Sequence, residues 1–130
     1  MPFELSPRSE RNLFGVHPDL VRVVRRAIQV TKVDFCVVEG KRTIERQREL
    51  VTAGKSHTMK SRHLNGFAVD LVAIVDGHAK WDMQHAGIIA DAMGAAAREL
   101  SVSIEWGGNW PGFRDGPHFQ LIARKYPDPT

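Results

Sequence analysis

Cysteine is almost absent from this chain of 130 residues: Cys36 is the only one, so no disulfide can form within it. Cys36 lies in an apolar run, which predicts a buried thiol and not a catalytic one. No apolar run approaches the roughly 18 residues of a membrane-spanning helix, so we expect no membrane insertion. Internal repeats and low-complexity tracts are also missing. Hydrophobic residues at 42% and charged residues at 25% are typical of a globular domain.

A single domain over residues 1–130 fits this length, and a monomer is expected. Residues 1–16 are predicted to form an N-terminal arm, and residues 125–130 a frayed tail. The N-terminus lacks the basic and apolar segments of a secretory signal, which predicts a protein made in the cytoplasm.

Charge is distributed unevenly along the chain. Residues 1–65 hold 13 Lys/Arg and 7 Asp/Glu, whereas residues 66–130 hold 5 and 8. The basic half is either a solvated face or a surface that attracts an anionic envelope polymer. Aromatic residues do not alternate with basic ones as in nucleic-acid platforms, so we expect no nucleic-acid partner.

Apolar spacing predicts an α+β domain, in which helices pack on a small, mainly antiparallel sheet. A short helix within residues 6–14 is one interpretation of the arm. The main helices are predicted at 18–30, 43–53 and 83–100, and the strands at 33–38, 67–75, 102–106 and 118–123. Residues 55–66 and 106–117 are expected to be irregular.

A divalent metal site is one interpretation of His63, Asp70 and His118. A hydrolytic zinc site needs three such donors and one open position. Strand alternation places Asp70 beside the small Ala68, and a carboxylate in a buried strand needs a partner. Alternatively, Asp70 pairs with an arginine and His118 is an ordinary core histidine.

Asp115 lies in a Gly-Pro turn just before His118, where a carboxylate suits the role of general base toward a water. Its simpler interpretation is a turn former. Trp106 and Trp110 flank a glycine pair, and they either form a wall of the cleft or pack in the core.

Several stretches, taken together and in order, resemble peptidase family M15. This family contains D-alanyl-D-alanine peptidases and phage L-alanyl-D-glutamate endopeptidases. The matching stretches are Ser61-x-His63-x-x-Gly66-x-Ala68-x-Asp70, Trp106-Gly107-Gly108-Asn109-Trp110, Phe113-x-Asp115-x-Pro117-His118-Phe119, Val38-Glu39-Gly40-Lys41-Arg42-Thr43 and Gly54-Lys55-Ser56-x-Thr58. Asn109 departs from the aspartate that is common at its position.

The resemblance implies a hedgehog/D-Ala-D-Ala-peptidase-like fold and one Zn²⁺ held by the two histidines and Asp70. It implies Asp115 as catalytic base and Arg42 as the group that holds the substrate carbonyl and its developing oxyanion. A surface ion pair is the alternative for Arg42. Ser61 and Thr58, with Trp106 and Trp110, are the candidate substrate-binding residues.

The function implied is a zinc peptidase that cuts the peptide stem of peptidoglycan, at the L-Ala–D-Glu bond. It would act as a phage or prophage endolysin that waits in the host cytoplasm for release through a holin. A D-alanyl-D-alanine carboxypeptidase or dipeptidase of wall turnover is the first alternative. An inactive wall-binding module is the second.

Overall fold

A computed structural model describes residues 2–56 and 59–128. Its helices are α1 (Pro7–Asn12), α2 (Pro18–Val30), α3 (Ile44–Thr52) and α4 (Met83–Leu100). Its strands are β1 (Asp34–Glu39), β2 (Ala68–Val75), β3 (His78–Lys80), β4 (Ile104–Trp106) and β5 (His118–Leu121), and short 3₁₀ helices span Arg62–Asn65 and Gly107–Asn109. No helix within these described ranges is long and apolar enough to cross a bilayer.

The strands form one antiparallel sheet in the order β1-β2-β5-β4, and β3 also pairs with β2. The predicted α+β class is confirmed. The bounds of α2 and α4 match the prediction because each helix has a clear beginning: Pro18 opens the first turn of α2, and Asp82 caps the backbone N–H of His85 in α4. The sequence analysis missed β3, which has only three residues, all of them exposed.

Alternation along the strands gives the sheet two different faces. One face packs against α2 and α4 through buried apolar side chains, among them Leu71 and Phe119. The opposite face carries Asp70 and His118, which stand directly across from each other on β2 and β5. The helices therefore bury one face of the sheet, and the polar residues gather on the other.

The N-terminal arm is part of the domain core. The hydroxyl oxygen of Ser9, a buried residue, accepts a hydrogen bond of 3.0 Å from the Val37 amide. The Asn12 side chain donates to the Val37 carbonyl oxygen at 2.7 Å, and Leu13 and Val16 join the apolar cluster. Helix α1 thus covers the outer edge of β1, which would otherwise expose these backbone groups.

The tail is held to the domain at two points, where fraying was expected. The Tyr126 hydroxyl donates to Asp19 at 2.7 Å. The Arg62 guanidinium contacts the Asp128 carboxylate at 2.6 Å and also donates to the Leu121 carbonyl oxygen. These contacts fix residues 126–128 against α2 and the end of β5.

The close approach of the arm to Gly40 generates a stability prediction. A Cβ atom at residue 40 would collide with the Asn12 carbonyl oxygen. We expect Gly40→Ala to lower the free energy of unfolding by about 1–3 kcal/mol, since overpacking forces the backbone apart. The matched control is Gly87→Ala in α4, where a Cβ meets nothing within 4 Å. It should leave stability equal or higher, because alanine favours helix. Urea unfolding of both variants measures the difference, and equal midpoints would refute the steric argument.

Candidate active site

Three predicted ligands come together on the polar face of the sheet. The Asp70 Oδ1 atom lies 3.3 Å from Nε2 of His63 and 3.4 Å from Nδ1 of His118. Asp70 comes from β2, His118 from the facing position of β5, and His63 from the 3₁₀ helix Arg62–Asn65. One potential ligand atom from each of these three residues lies within 4.8 Å of the other two.

Hydrogen bonds to the outer ring nitrogens orient both histidines. Nδ1 of His63 lies 2.8 Å from the Gly40 carbonyl oxygen, which only accepts, so Nδ1 carries the proton. Nε2 of His118 lies 2.7 Å from Oε1 of Gln120. The Gln120 amide nitrogen donates to Glu105 at 2.8 Å, which fixes Oε1 as the atom facing His118. Nε2 of His118 is therefore also a donor.

This arrangement fits a cation. In these tautomers, both inner nitrogens direct lone pairs toward the Asp70 carboxylate, which itself only accepts. Asp70 Oδ1 is buried and has no hydrogen-bond partner among the described residues. Such a convergence of acceptors is costly unless a metal ion or a proton occupies the centre.

The directions of the pKa shifts of Asp70 and His118 also indicate a site that attracts a cation. Burial disfavours the ionised form of Asp70, but the two imidazoles outweigh that cost and hold the pKa of its carboxyl well below the usual range. Burial also opposes the charged form of His118, yet Asp70 raises the pKa of its imidazole above the ordinary value. Asp70 is thus fixed as a charged acceptor that attracts positive charge.

Glu105 and Gln120 support the candidate site, and the sequence analysis did not single them out. They stand opposite each other on β4 and β5, and Glu105 also accepts a hydrogen bond of 3.4 Å from the indole nitrogen of Trp110. A chain of hydrogen bonds therefore runs from His118 to the indole of Trp110. The available signal was alternation, because a residue two positions after His118 shares its face of the strand.

Asp115 is held beside the cluster by its own turn. Its amide donates to the Gly107 carbonyl oxygen at 2.9 Å, and its carbonyl oxygen accepts from the His118 amide at 3.2 Å. A Cβ at residue 107 would come within 3.0 Å of the Asp115 Cβ, so glycine permits this approach. Burial raises the pKa of the half-buried Asp115 carboxyl, and the nearby Asp70 charge adds to the rise.

Arg42 lines the same cavity in a part-buried ion pair, not in a fully exposed surface one. Its Nε and Nη2 donate to the two oxygens of Glu39 at 2.6 and 2.8 Å, and Nη1 donates to Gln47 at 2.7 Å. The side chain is only 9% exposed. Glu39 and the fully buried Gln47 were not singled out from the sequence, although both fix this guanidinium.

The remaining predicted residues divide between site and scaffold. Ser61 borders the cavity, and its hydroxyl caps the 3₁₀ helix by accepting from the His63 amide at 3.2 Å. Thr58 lies outside the described residues. Trp110 lines the cavity, with its ring 5.1 Å from that of His118.

Trp106 is a correction to the predicted set. It pairs with Phe119 across β4 and β5, and the two rings stack at 6.3 Å. Its indole nitrogen donates to the Gly116 carbonyl oxygen at 2.7 Å. Since Phe119 faces the core, alternation places Trp106 on the face opposite Asp70, where it packs and does not form a wall of this cavity.

The cavity over the cluster has a volume of about 660 Å³. Its acidic residues are Glu39, Asp70 and Asp115, and aromatic and basic side chains border its rim. A pocket of this size, with a few converging polar groups, has the form of a substrate site.

Comparison with known proteins connects this geometry to a family. A family model described as phage L-alanyl-D-glutamate peptidase matches residues 1–126. The L-alanyl-D-glutamate peptidase of Escherichia phage T5 is 29% identical, over 94% of this chain and 100% of that protein. That of Listeria phage A118 is 35% identical over 72% of this chain, which spans only 32% of the relative.

Solved structures agree with this match. The L-Ala D-Glu endopeptidase ChiX of Serratia marcescens has a TM-score of 0.92 and 51% sequence identity, covering 98% of this chain and 96% of that one. The D,D-dipeptidase VanXYg has a TM-score of 0.52 and 15% identity, covering 82% of this chain and 50% of that one, and it shows the shared fold alone.

The fold and the site are those of a peptidase with a candidate metal centre, which confirms the M15 resemblance. More particularly, the chain belongs to the phage L-alanyl-D-glutamate peptidase family.

The hydrogen bond from Gln120 generates a prediction about metal affinity. We expect Gln120→Ala to weaken divalent-metal binding by about 10–100-fold, because His118 loses the partner that orients its ring. Competition with a chromophoric chelator measures the affinity. Gln84→Ala, at an exposed position of α4, is the matched control. Unchanged affinity in the Gln120 variant would show that packing alone orients His118.

Proposed function

We propose that this chain is a zinc-dependent peptidoglycan peptidase that hydrolyses the L-Ala–D-Glu bond of the stem peptide. The observation that carries the proposal is the convergence of two imidazole lone pairs and the Asp70 carboxylate beside Asp115 in one cavity. The names of the relatives support the choice of bond, since those from phages and from Serratia marcescens are L-Ala–D-Glu peptidases.

Zinc is the metal that this donor set favours. Two imidazoles and one carboxylate are the ligand types of catalytic zinc sites, which keep a further position open. His63, Asp70 and His118 would hold the ion. When bound, zinc supplies a Lewis acid that polarises the scissile carbonyl and makes a water molecule more acidic.

Asp115 is the proposed general base. Its turn holds the carboxylate beside the cluster, and burial raises its pKa, which makes it a better proton acceptor than an exposed aspartate. It accepts the proton of the attacking water and returns that proton to the leaving amine. The net reaction adds one water across the amide and releases a carboxylate and an amine.

Arg42 is the proposed ligand of the substrate carbonyl. Glu39, Gln47 and Ser61 accept four of its five N–H groups in the described structure, which leaves one Nη2 hydrogen for a substrate oxygen. Because Glu39 neutralises much of its charge, Arg42 acts mainly as a rigid hydrogen-bond donor. A fixed donor is aimed at the developing oxyanion without any reorganisation.

The biological role we propose is that of an endolysin in host lysis. The phage relatives support it, and the basic half of the chain suits approach to anionic envelope polymers. In this role the enzyme waits in the host cytoplasm until a holin releases it to the wall.

The first test separates the base from the ligands. Asp115→Asn should lower kcat by about 10²–10⁴-fold while one zinc per chain remains bound, because the amide keeps the shape but cannot accept the proton. Metal analysis and hydrolysis of purified peptidoglycan measure the two effects. His63→Ala is the contrasting variant and should lose zinc. Loss of zinc from the Asp115 variant would identify Asp115 as a ligand.

The second test identifies the bond. Mass spectrometry of digested peptidoglycan should show released peptides with a new amino-terminal D-Glu, because the L-Ala–D-Glu bond is cut. A D-alanyl-D-alanine carboxypeptidase would instead leave stems attached and shorter by one alanine. Only that second pattern, in a digest that clearly proceeds, would replace the proposal by its alternative. A zinc-loaded protein that releases nothing would favour an inactive wall-binding module.

A further inference from the structure

The cavity has two chemically different groups along its border. Its aromatic members are Trp81, Trp110 and Phe113, and its basic members are Arg42, Lys55, Lys60 and Arg62. The comparisons with known proteins assign none of these aromatic residues to a part of the substrate. Their placement in the fold indicates which part each group contacts.

Strand register places the aromatic members and three of the basic members, Arg42, Lys55 and Lys60, on opposite sides of Asp70. Strand β1 pairs along one edge of β2, while β5 and then β3 pair along the other. Trp81 directly follows β3, and Phe113 precedes β5 in the same loop as Trp110, so the aromatic group belongs to the β5 side. We call these three residues the aromatic wall.

Three of the four basic members belong to the β1 side, whereas Arg62 donates to the Leu121 carbonyl oxygen at the end of β5. Arg42 follows β1 by three residues, and its amide donates to the His63 carbonyl oxygen at 2.8 Å. Lys55 and Lys60 lie on the segment that joins α3 to the 3₁₀ helix containing His63. The candidate metal cluster therefore lies between an aromatic and a cationic side.

Two members of the aromatic wall are exposed to an unusual degree. Trp81 is 62% exposed and Phe113 is 60% exposed, although both border a cavity. Trp110 is less exposed: its ring packs against His118, and its indole nitrogen donates to Glu105. Large exposed aromatic surfaces at the rim of a substrate cavity are typical of a binding contact.

The chemistry of the proposed bond identifies what lies against this wall. In peptidoglycan, the stem L-Ala is joined through a lactyl group to N-acetylmuramic acid, so a sugar stands one residue from the scissile carbonyl. On the other side, D-Glu carries a free α-carboxylate. A pyranose ring offers an apolar C–H face that packs on aromatic rings, and a carboxylate seeks cations.

We propose that Trp81 and Phe113 form a sugar-binding rim that holds the N-acetylmuramic acid bearing the stem. This inference rests on the proposed function and extends it: the enzyme recognises a glycan-linked stem, not a free peptide. The stem crosses the site with its glycan end on the β5 side and its D-Glu end toward the basic residues on the β1 side.

The test compares two substrates that differ only in the sugar. One is the disaccharide-linked tripeptide, and the other is the same tripeptide with an acetyl group on L-Ala, so that neither carries a free amine there. We expect the zinc-loaded wild type to cut the sugar-linked substrate with a kcat/KM at least about fivefold higher, the size of one aromatic packing contact.

Two single variants test whether Trp81 and Phe113 cause this substrate preference. Trp81→Ala and Phe113→Ala should each reduce the preference by raising KM for the sugar-linked substrate with kcat retained, as loss of a contact remote from the reacting atoms does. Phe14→Ala is the matched control, because Phe14 is 89% exposed and does not border the cavity. Its preference should equal that of the wild type.

Two results would refute the sugar contact, and a third would refute the proposed function. Equal kcat/KM for the two substrates in the wild type would refute the sugar contact, as would full preference in the Trp81→Ala/Phe113→Ala double variant. If neither substrate is cut at L-Ala–D-Glu, the proposed function fails instead. In that case, calorimetry measures the binding of both compounds to zinc-loaded Asp115→Asn protein and tests the sugar contact separately. Tighter binding of the sugar-linked compound would support the contact. Equal binding of the two compounds would refute it.

Discussion

A charged carboxylate in the central strand is the constraint on which the site depends. Asp70 pairs through its backbone with Glu39 on β1 and with His118 on β5, so it links the two halves of the site. Burying that carboxylate among apolar strands is costly, and with the protons of His63 and His118 on their outer nitrogens, only a cation or a further proton at the centre offsets the cost. The sheet therefore folds around an electrostatic requirement that a bound cation satisfies best.

Close backbone contacts, not long side chains, hold the ligand positions. Gly40, whose carbonyl oxygen orients His63, lies against Asn12 of the arm. Gly66 adopts a left-handed conformation with φ of 74° at the end of the 3₁₀ helix, and a Cβ there would collide with Gly15. The arm thus supports the histidine-bearing segment from behind, through an inner side on which Ser9, Leu13 and Val16 are buried.

The residue types and the family resemblance predicted the candidate metal ligands but not their supports. Asp70 and His118 stand out because their residue types are rare in apolar strands, and His63 belongs to the stretch that resembles the M15 motif. Gln120 and Glu105 do not, because polar residues on a half-exposed strand are common and their role appears only when β4 and β5 pair. Pairing of strands distant in sequence is a tertiary feature that spacing alone does not contain.

The two tryptophans beside the glycine pair show the same limit of prediction from local sequence. Trp106 and Trp110 are four residues apart, and the sequence offered both the cleft and the core for each. Register decides between them: Trp106 pairs with the core residue Phe119, whereas Trp110 follows the 3₁₀ turn Gly107–Asn109 and reaches the His118 side of the sheet. A three-residue turn after β4 thus sends one tryptophan to each face.

The two aspartates of the cavity suit different proposed roles because their surroundings differ. Asp70 is surrounded by imidazoles that stabilise its charge and lower its pKa, which suits a permanent ligand. Burial raises the pKa of Asp115, and the fixed charge of Asp70 raises it further, so Asp115 holds a proton more readily. The environment thereby separates the proton affinities of two identical groups, which is how a site obtains both a ligand and a base from the same residue type. The proposed hydrolysis needs both roles, and in it the charge of Asp70 would help to set the proton affinity of Asp115.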